Sequence, residues 1–263
     1  MGVKGRCPFR IGATSYVLPA DMLTNVRHLA DLVDDIELLV FESDAMAELP
    51  DHGTLRELAD IARAESLTYT VHLPLDICLG HPDAAERERS IGKSVRTIER
   101  MSALNPVAWI LHCDRGLAEV KVLHDTIWVE NTAQSLKRVL ECGIAPKSVC
   151  VETLDAHFPL LEPVIRESGV SVCLDIGHLL LYGLDMNSYL VTCGDLARVM
   201  HLHGVLDGKD HRAISSVPGR WLEQIIDAAA RSGPGCIVTI EVFNKEDLDA
   251  SLRIMEESTT CLA

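Results

Sequence analysis

Six separate apolar runs of this sequence each break at a side chain able to bind a metal ion. They are His72 in TVHLP, His112 in WILHCD, Glu152 in VCVETLD, Asp175 in SVCLDIGH, His201 in VMHLHG and Glu241 in VTIEVF. Each run is rich in Val, Ile and Leu, the composition of a strand buried on both faces. Burying six ionisable groups at unrelated places is costly. Gathered at one mouth around divalent cations they lose that cost, because coordination replaces hydration. A lone histidine at a strand end is more often a hydrogen-bonded structural residue than a ligand, but here that explanation would have to hold on six consecutive strands. Carboxylates and imidazoles together suit Zn, Mn, Fe or Co better than Ca or Mg. His178, in Asp175-Ile-Gly-His178, extends the set to seven residues, too many for one tetrahedral ion, so two or three divalent metal ions are expected. Glu42 closes a further apolar run, and His203 shares the strand face of His201.

The elements that must position these groups alternate along the whole chain. Strands are expected near 9–14, 36–42, 68–73, 107–112, 147–152, 170–175, 197–203 and 236–241. Helices are expected near 20–33, 53–65, 83–102, 131–143, 157–168, 184–194, 219–232 and 245–258. Pro82-Asp83 opens the third helix, Asn131-Thr132 suits the start of the fourth, and Asn244 can cap the last. Regular alternation implies a parallel sheet. About eight β-α units in 263 residues are the size of an α/β (β/α)8 barrel, read as a single catalytic domain, 1–263. A doubly wound open sheet is the alternative, but the Gly-rich first turn common in that fold is missing. In a barrel all strand ends converge on one rim, so the six groups would meet there. Asp76, Asp114 and Asp155 are candidates to orient the imidazoles.

Composition narrows the function classes. A net charge of −15 without a basic stripe argues against nucleic acid as a partner. No run of apolar residues is long enough for a membrane span, and no secretory signal precedes the first strand. The nine cysteines are scattered with no CxxC pair, which fits free thiols and a cytoplasmic location.

The ordered set His72, His112, Glu152, Asp175-x-x-His178, His201 and Glu241 resembles the xylose-isomerase-like TIM barrels, in particular the endonuclease IV (AP endonuclease family 2) branch. That resemblance implies that Glu152 bridges two ions. His72 and His112 would complete one site, and Asp175, His201 and Glu241 the other. His178 would serve a third, whose remaining ligands come in that family as Asp-x-His. Here the segment reads Asp207-Gly-Lys-Asp210-His211, so Asp210 and His211 are the substitutes. The stretches RIGATSYVLPADMLTNVRHLADLVDDIELLVFES, YTVHLPLDICLGHPD, VCLDIGHLLLYG and HLHGVLDGKDH are similar to the CbiR-type cobamide-remodelling enzymes. The likeness implies a metal-dependent phosphodiester hydrolase that cleaves the nucleotide loop of a corrinoid, a small-molecule partner, with Glu152, Asp175 and Glu241 as catalytic groups. Glu42, His203, Asp210 and His211 would be third-site or substrate residues.

Other readings use the same residues. A sugar isomerase or epimerase on this barrel would hold one ion with Glu152, Asp175, His201 and Glu241, and two carboxylates would move a proton on opposite faces of a sugar. An endonuclease IV-like DNA-repair enzyme would share the metal chemistry, though not the expected charge. A protein that binds metal or corrinoid without turnover would release no product.

Overall fold

The computed structural model describes residues 2–40, 49–115, 118–155 and 157–259, with backbone only for 118, 119 and 259. The strands are β1 (Arg10–Thr14), β2 (Asp35–Leu39), β3 (Thr68–His72), β4 (Ala108–Leu111), β5 (Val149–Glu152), β6 (Ser171–Asp175), β7 (Ala197–Leu202), β8 (Gly204–Leu206), β9 (Lys209–Arg212) and β10 (Ile237–Ile240). Eight of them form a closed parallel barrel in the order β1-β10-β7-β6-β5-β4-β3-β2, while β8 and β9 pair as a separate antiparallel hairpin. The helices are α1 (Met22–Leu29), α2 (His52–Glu65), α3 (Ala84–Met101), α4 (Ala118–Lys121), α5 (Asp125–Leu140), α6 (Glu162–Ser168), α7 (Ile176–Leu181), α8 (Met186–Cys193), α9 (Gly219–Ser232) and α10 (Lys245–Thr259). The barrel is the (β/α)8 architecture expected from the alternation.

Local chemistry explains most boundaries. Asp21, Asp51, Asp83 and Asp185 each accept a hydrogen bond from a backbone N–H in the first turn of α1, α2, α3 and α8. Asn244 accepts from Asp247 N–H at 2.8 Å and so opens α10. Three segments depart from the sequence expectation. Helix α5 begins at Asp125, not near 131, because Trp128 and Thr132 already face the core and His124 caps the first turn. Helix α7 starts directly at the end of β6, with Asp175 as its cap through His178 N–H at 2.7 Å. The hairpin β8–β9 lies where a long loop was expected. Its Asp207-Gly208 turn has φ of 53° and 73°, the left-handed pair that a two-residue hairpin turn needs.

The barrel interior is divided. Ala108, Ile110, Cys150, Cys173, Val199 and Ile237 fill one side with apolar packing. The side contributed by β1–β3 and β10 is polar, with Asp35, Glu37, Thr70 and Thr239 all fully buried. Burial pushes the Asp35 carboxyl up to about 7, against hydrogen bonds from Thr68 and Thr70, and the neighbouring Glu37 charge adds to the rise. A carboxyl whose native pKa lies above its unfolded value contributes stability below about 4 and loses it as pH rises to about 7. Asp35→Asn should therefore gain stability over wild type on going from pH 5 to pH 8, by at most about 3 kcal/mol, since only the interval from pH 5 to about 7 contributes. Denaturant titrations at the two pH values test this. An unchanged difference between the two proteins would mean that Asp35 ionises as it does in the unfolded chain.

Candidate metal centre

Parallel register delivers the strand-end groups to one rim. Asp175 pairs with His201 across β6 and β7, and Glu152 lies one strand away beside Cys173. Glu152 is the hub. One of its oxygens, Oε2, lies 3.0 Å from His112 Nε2 and 3.5 Å from His72 Nε2. The other, Oε1, lies 3.4 Å from His201 Nδ1 and 3.6 Å from His178 Nδ1. His201 Nδ1 is also 3.0 Å from Glu241 Oε2 and 3.7 Å from Asp175 Oδ2. Glu152, Asp175, His201 and Glu241 thus offer four ligand atoms within 4.8 Å of one another, and His72, His112 and Glu152 offer a second such group.

Hydrogen bonds set the imidazoles for coordination. His72 Nδ1–H donates to the Leu73 carbonyl at 2.8 Å, so Nε2 turns its lone pair toward Glu152. His201 Nε2–H donates to Glu37 Oε2 at 2.9 Å, which leaves Nδ1 as the ligand atom. Several atoms aimed inward are buried with no hydrogen-bond partner, among them His112 Nε2, His201 Nδ1, Glu152 Oε2, Asp175 Oδ2 and Glu241 Oε2. Unpartnered groups of this kind are expensive unless an ion completes them. Burial raises the Glu152 and Asp175 carboxyls, but the surrounding imidazoles outweigh it and hold both well below the usual range. Burial lowers His178, yet Asp175 and Glu152 bring it up to about 10. A centre this negative demands positive charge, and carboxylate–imidazole donors fit a divalent cation of the Zn, Mn, Fe or Co type.

The remaining expected residues divide. His203 is fully buried, and its Nδ1 accepts from His211 N–H at 2.9 Å. Its Nε2 lies 3.2 Å from Asp175 Oδ1 and is a further buried atom with no hydrogen-bond partner. His178, His203 and His211 offer a third group of ligand atoms within 4.8 Å of one another. Asp210 Oδ2 is 3.8 Å from both His178 Nε2 and His211 Nε2, so the hairpin brings the three together despite the altered spacing. Glu42 lies outside the described residues. Of the aspartates expected to orient imidazoles, Asp76 pairs with Lys93 and Arg89, Asp155 accepts from His157 N–H at 2.7 Å and lies 3.3 Å from the His157 ring, outside the cluster, and Asp114 lines the cavity above it. The orienting role belongs to Glu37, which sequence reasoning misses because it sits mid-strand in an apolar run. Its alternation with Asp35 on one face of β2 is the available signal.

Gly177 lets His203 lie flat on α7, since a Cβ there would overlap the imidazole. Gly177→Ala should cost about 1–3 kcal/mol through this clash and lower the melting temperature. A wild-type melting temperature would mean that the ring moves aside freely.

Above the centre opens a cavity of about 350 Å³, the size of a small-molecule site. Its floor is His72, His112, Glu152, His178, His211 and Glu241.

Solved structures share this fold over nearly their whole length. A D-tagatose 3-epimerase-like protein is similar at TM-score 0.76 and 14% identity, covering 96% of this chain and 98% of its own. D-Psicose 3-epimerase from Clostridium cellulolyticum H10 follows at 0.75 and 16%, covering 96% and 99%. Endonuclease IV from Thermus thermophilus is similar at 0.72 and 15%, covering 97% and 100%. No curated protein matches the sequence.

These findings correct the expectation of a corrinoid partner and a phosphodiester hydrolase. Epimerases recur among the related folds, and Glu152, Asp175, His201 and Glu241 form the compact four-ligand group expected of the isomerase or epimerase alternative. Among the described residues no helix is long and apolar enough to cross a membrane. The model of the xylose isomerase-like TIM barrel family (AP endonuclease family 2) matches residues 26–260, and the chain belongs to that family.

Proposed function

We propose that this protein is a metal-dependent epimerase or isomerase acting on a keto sugar. The observation that carries the reading is the buried Glu152–Asp175–His201–Glu241 group, two of whose members, Glu152 and Glu241, reach the floor of the cavity. A divalent cation held there supplies positive charge that draws electron density from a substrate carbonyl and its neighbouring hydroxyl. Asp175 and His201 would hold the ion, and Glu37 orients His201 from behind. Glu152 and Glu241 move the proton. Their strands, β5 and β10, are separated by β6 and β7 in the barrel order, so the two carboxylates reach the centre from different directions. One takes the proton from the carbon beside the carbonyl, and the other, protonated from water, returns one to the opposite face. Each turnover exchanges their protonation states and inverts one carbon. The 3-epimerases of similar fold make free ketoses the first substrates to try.

His72–His112–Glu152 and His178–His203–His211, with Asp210 beside the latter, extend the reading to two or three ions per chain. Elemental analysis against protein concentration counts them; one ion per chain would limit the role of the outer histidines to substrate contact. The decisive experiment incubates metal-loaded protein with D-psicose, D-tagatose, D-fructose and a phenyl 3-keto-glucoside in D2O and looks for deuterium at the inverted carbon by NMR. Absence of exchange in every keto sugar would overturn the proposal.

A further inference from the structure

Above its metal-binding floor the cavity changes character. The described walls are Leu39 and Val40 at the end of β2, Leu75 after β3, Leu154 after β5, Tyr182 after α7 and Phe243 after β10. Asp114 and Asp155 complete them, and both are acceptors. No lysine, arginine, asparagine, glutamine, serine or threonine lines the cavity among the described residues. Three of the apolar side chains are exposed where a core residue would not be: Leu75 at 46%, Tyr182 at 56% and Phe243 at 38%. Phe243 lies 4.5 Å from the His211 ring on one side and 6.3 Å, edge to face, from Tyr16 on the other. Tyr16 is itself 46% exposed, so the apolar surface continues outward from the centre to the rim.

A free monosaccharide carries a hydroxyl on nearly every carbon and needs donors and acceptors all round it. A sugar phosphate needs cations. Among the described residues these walls add only the Asp114 and Asp155 carboxylates and the Tyr182 hydroxyl to the polar floor, supply no cation, and present a collar of large apolar groups contiguous with that floor. We infer that the substrate is a sugar bearing an uncharged apolar substituent, such as an aromatic ring, which the Leu75–Tyr182–Phe243 collar covers while the polar ring reaches the metal centre. The inference rests on the epimerase reading for the identity of the polar part, and on the collar alone for the substituent. Flat rings on Tyr182 and Phe243 suit stacking against such a group.

Binding is read separately from turnover. Methyl and phenyl β-D-glucopyranoside and glucose 6-phosphate are titrated into the metal-loaded protein, with dissociation constants taken from saturation-transfer NMR. The phenyl compound should bind at least about tenfold more tightly than the methyl one, the gain expected from covering a phenyl ring. Leu75→Ala and the Tyr182→Ala/Phe243→Ala double variant should each reduce that ratio, the double variant to below about threefold, with folding checked by circular dichroism. The exposed Leu75 gives a variant that burial does not endanger. A wild-type ratio near one, an unchanged ratio in both variants, or tighter binding of the phosphate would overturn the collar. A large ratio that collapses in the variants supports it even if no keto sugar exchanges deuterium, in which case only the epimerase reading falls. Deuterium exchange together with a ratio near one has the opposite meaning.

Discussion

Glu152→Gln should lose turnover on the order of 10²–10⁴-fold, the range typical when a positioned proton carrier is removed, and should bind its metal far more weakly. The side chain keeps its shape, so the barrel should remain folded. What changes is charge: one oxygen of Glu152 faces His72 and His112 and the other faces His178 and His201, and all four imidazoles lose the anion between them. In the proposed reaction the amide also cannot take up a proton from carbon. Activity, bound metal per chain and circular dichroism should be measured on the same preparation. Turnover within tenfold of wild type, with metal retained, would remove Glu152 from the centre of the mechanism.

The second large effect falls on a residue that does not line the cavity. Glu37→Leu should weaken metal binding about 10–100-fold, as when a group that orients a ligand is lost. Glu37 and His201 have fully buried side chains, and the 2.9 Å bond between them turns Nδ1 of His201 inward. Leucine leaves Nε2–H buried without an acceptor, so the ring can rotate or exchange its tautomer. Glu37→Gln keeps an acceptor oxygen and should fall between wild type and the leucine variant. Chelator competition gives the affinities, and this graded order separates orientation from bulk packing. Equal metal affinity in all three proteins would show that packing alone holds the His201 ring.

How much of this centre is legible in the sequence depends on where each group sits in its element. His72, Glu152 and Asp175 are the last residues of their strands, His112 and Glu241 follow theirs by one, and His201 precedes the last residue of β7. A polar residue that ends an apolar run is conspicuous in a linear sequence. Glu37 occupies the middle of β2, where the same residue type looks like an interruption. Its value comes from a partner 164 positions away. Asp210 and His211 are legible by type, but their placement requires a hairpin whose Asp207-Gly208 turn looks like loop in the sequence. The start of α5 is hidden because its β-branched first turns do not look helical until Trp128 is seen packed.

The substrate expectation failed for a related reason. Ligand types and order are shared by barrels with different chemistry, because a divalent cation asks only for suitable donors at suitable distances. What a substrate must be depends on the walls above the ions. Those walls come from the ends of β2 and α7 and from segments after β3, β5 and β10, and no short stretch of sequence contains them.

The sequence alone determined the alternation of strand and helix, the closed barrel that this alternation forces, and the residue types at the strand ends, since these follow from burial periodicity and local capping. Tertiary structure decided which oxygen of Glu152 meets which imidazole, that Glu37 orients the His201 ring, and that an apolar collar surrounds a charged floor. Hydrophobic periodicity is a property of neighbours in the chain, whereas tautomers, hydrogen-bond partners and cavity walls are set by residues that become neighbours only when the barrel closes.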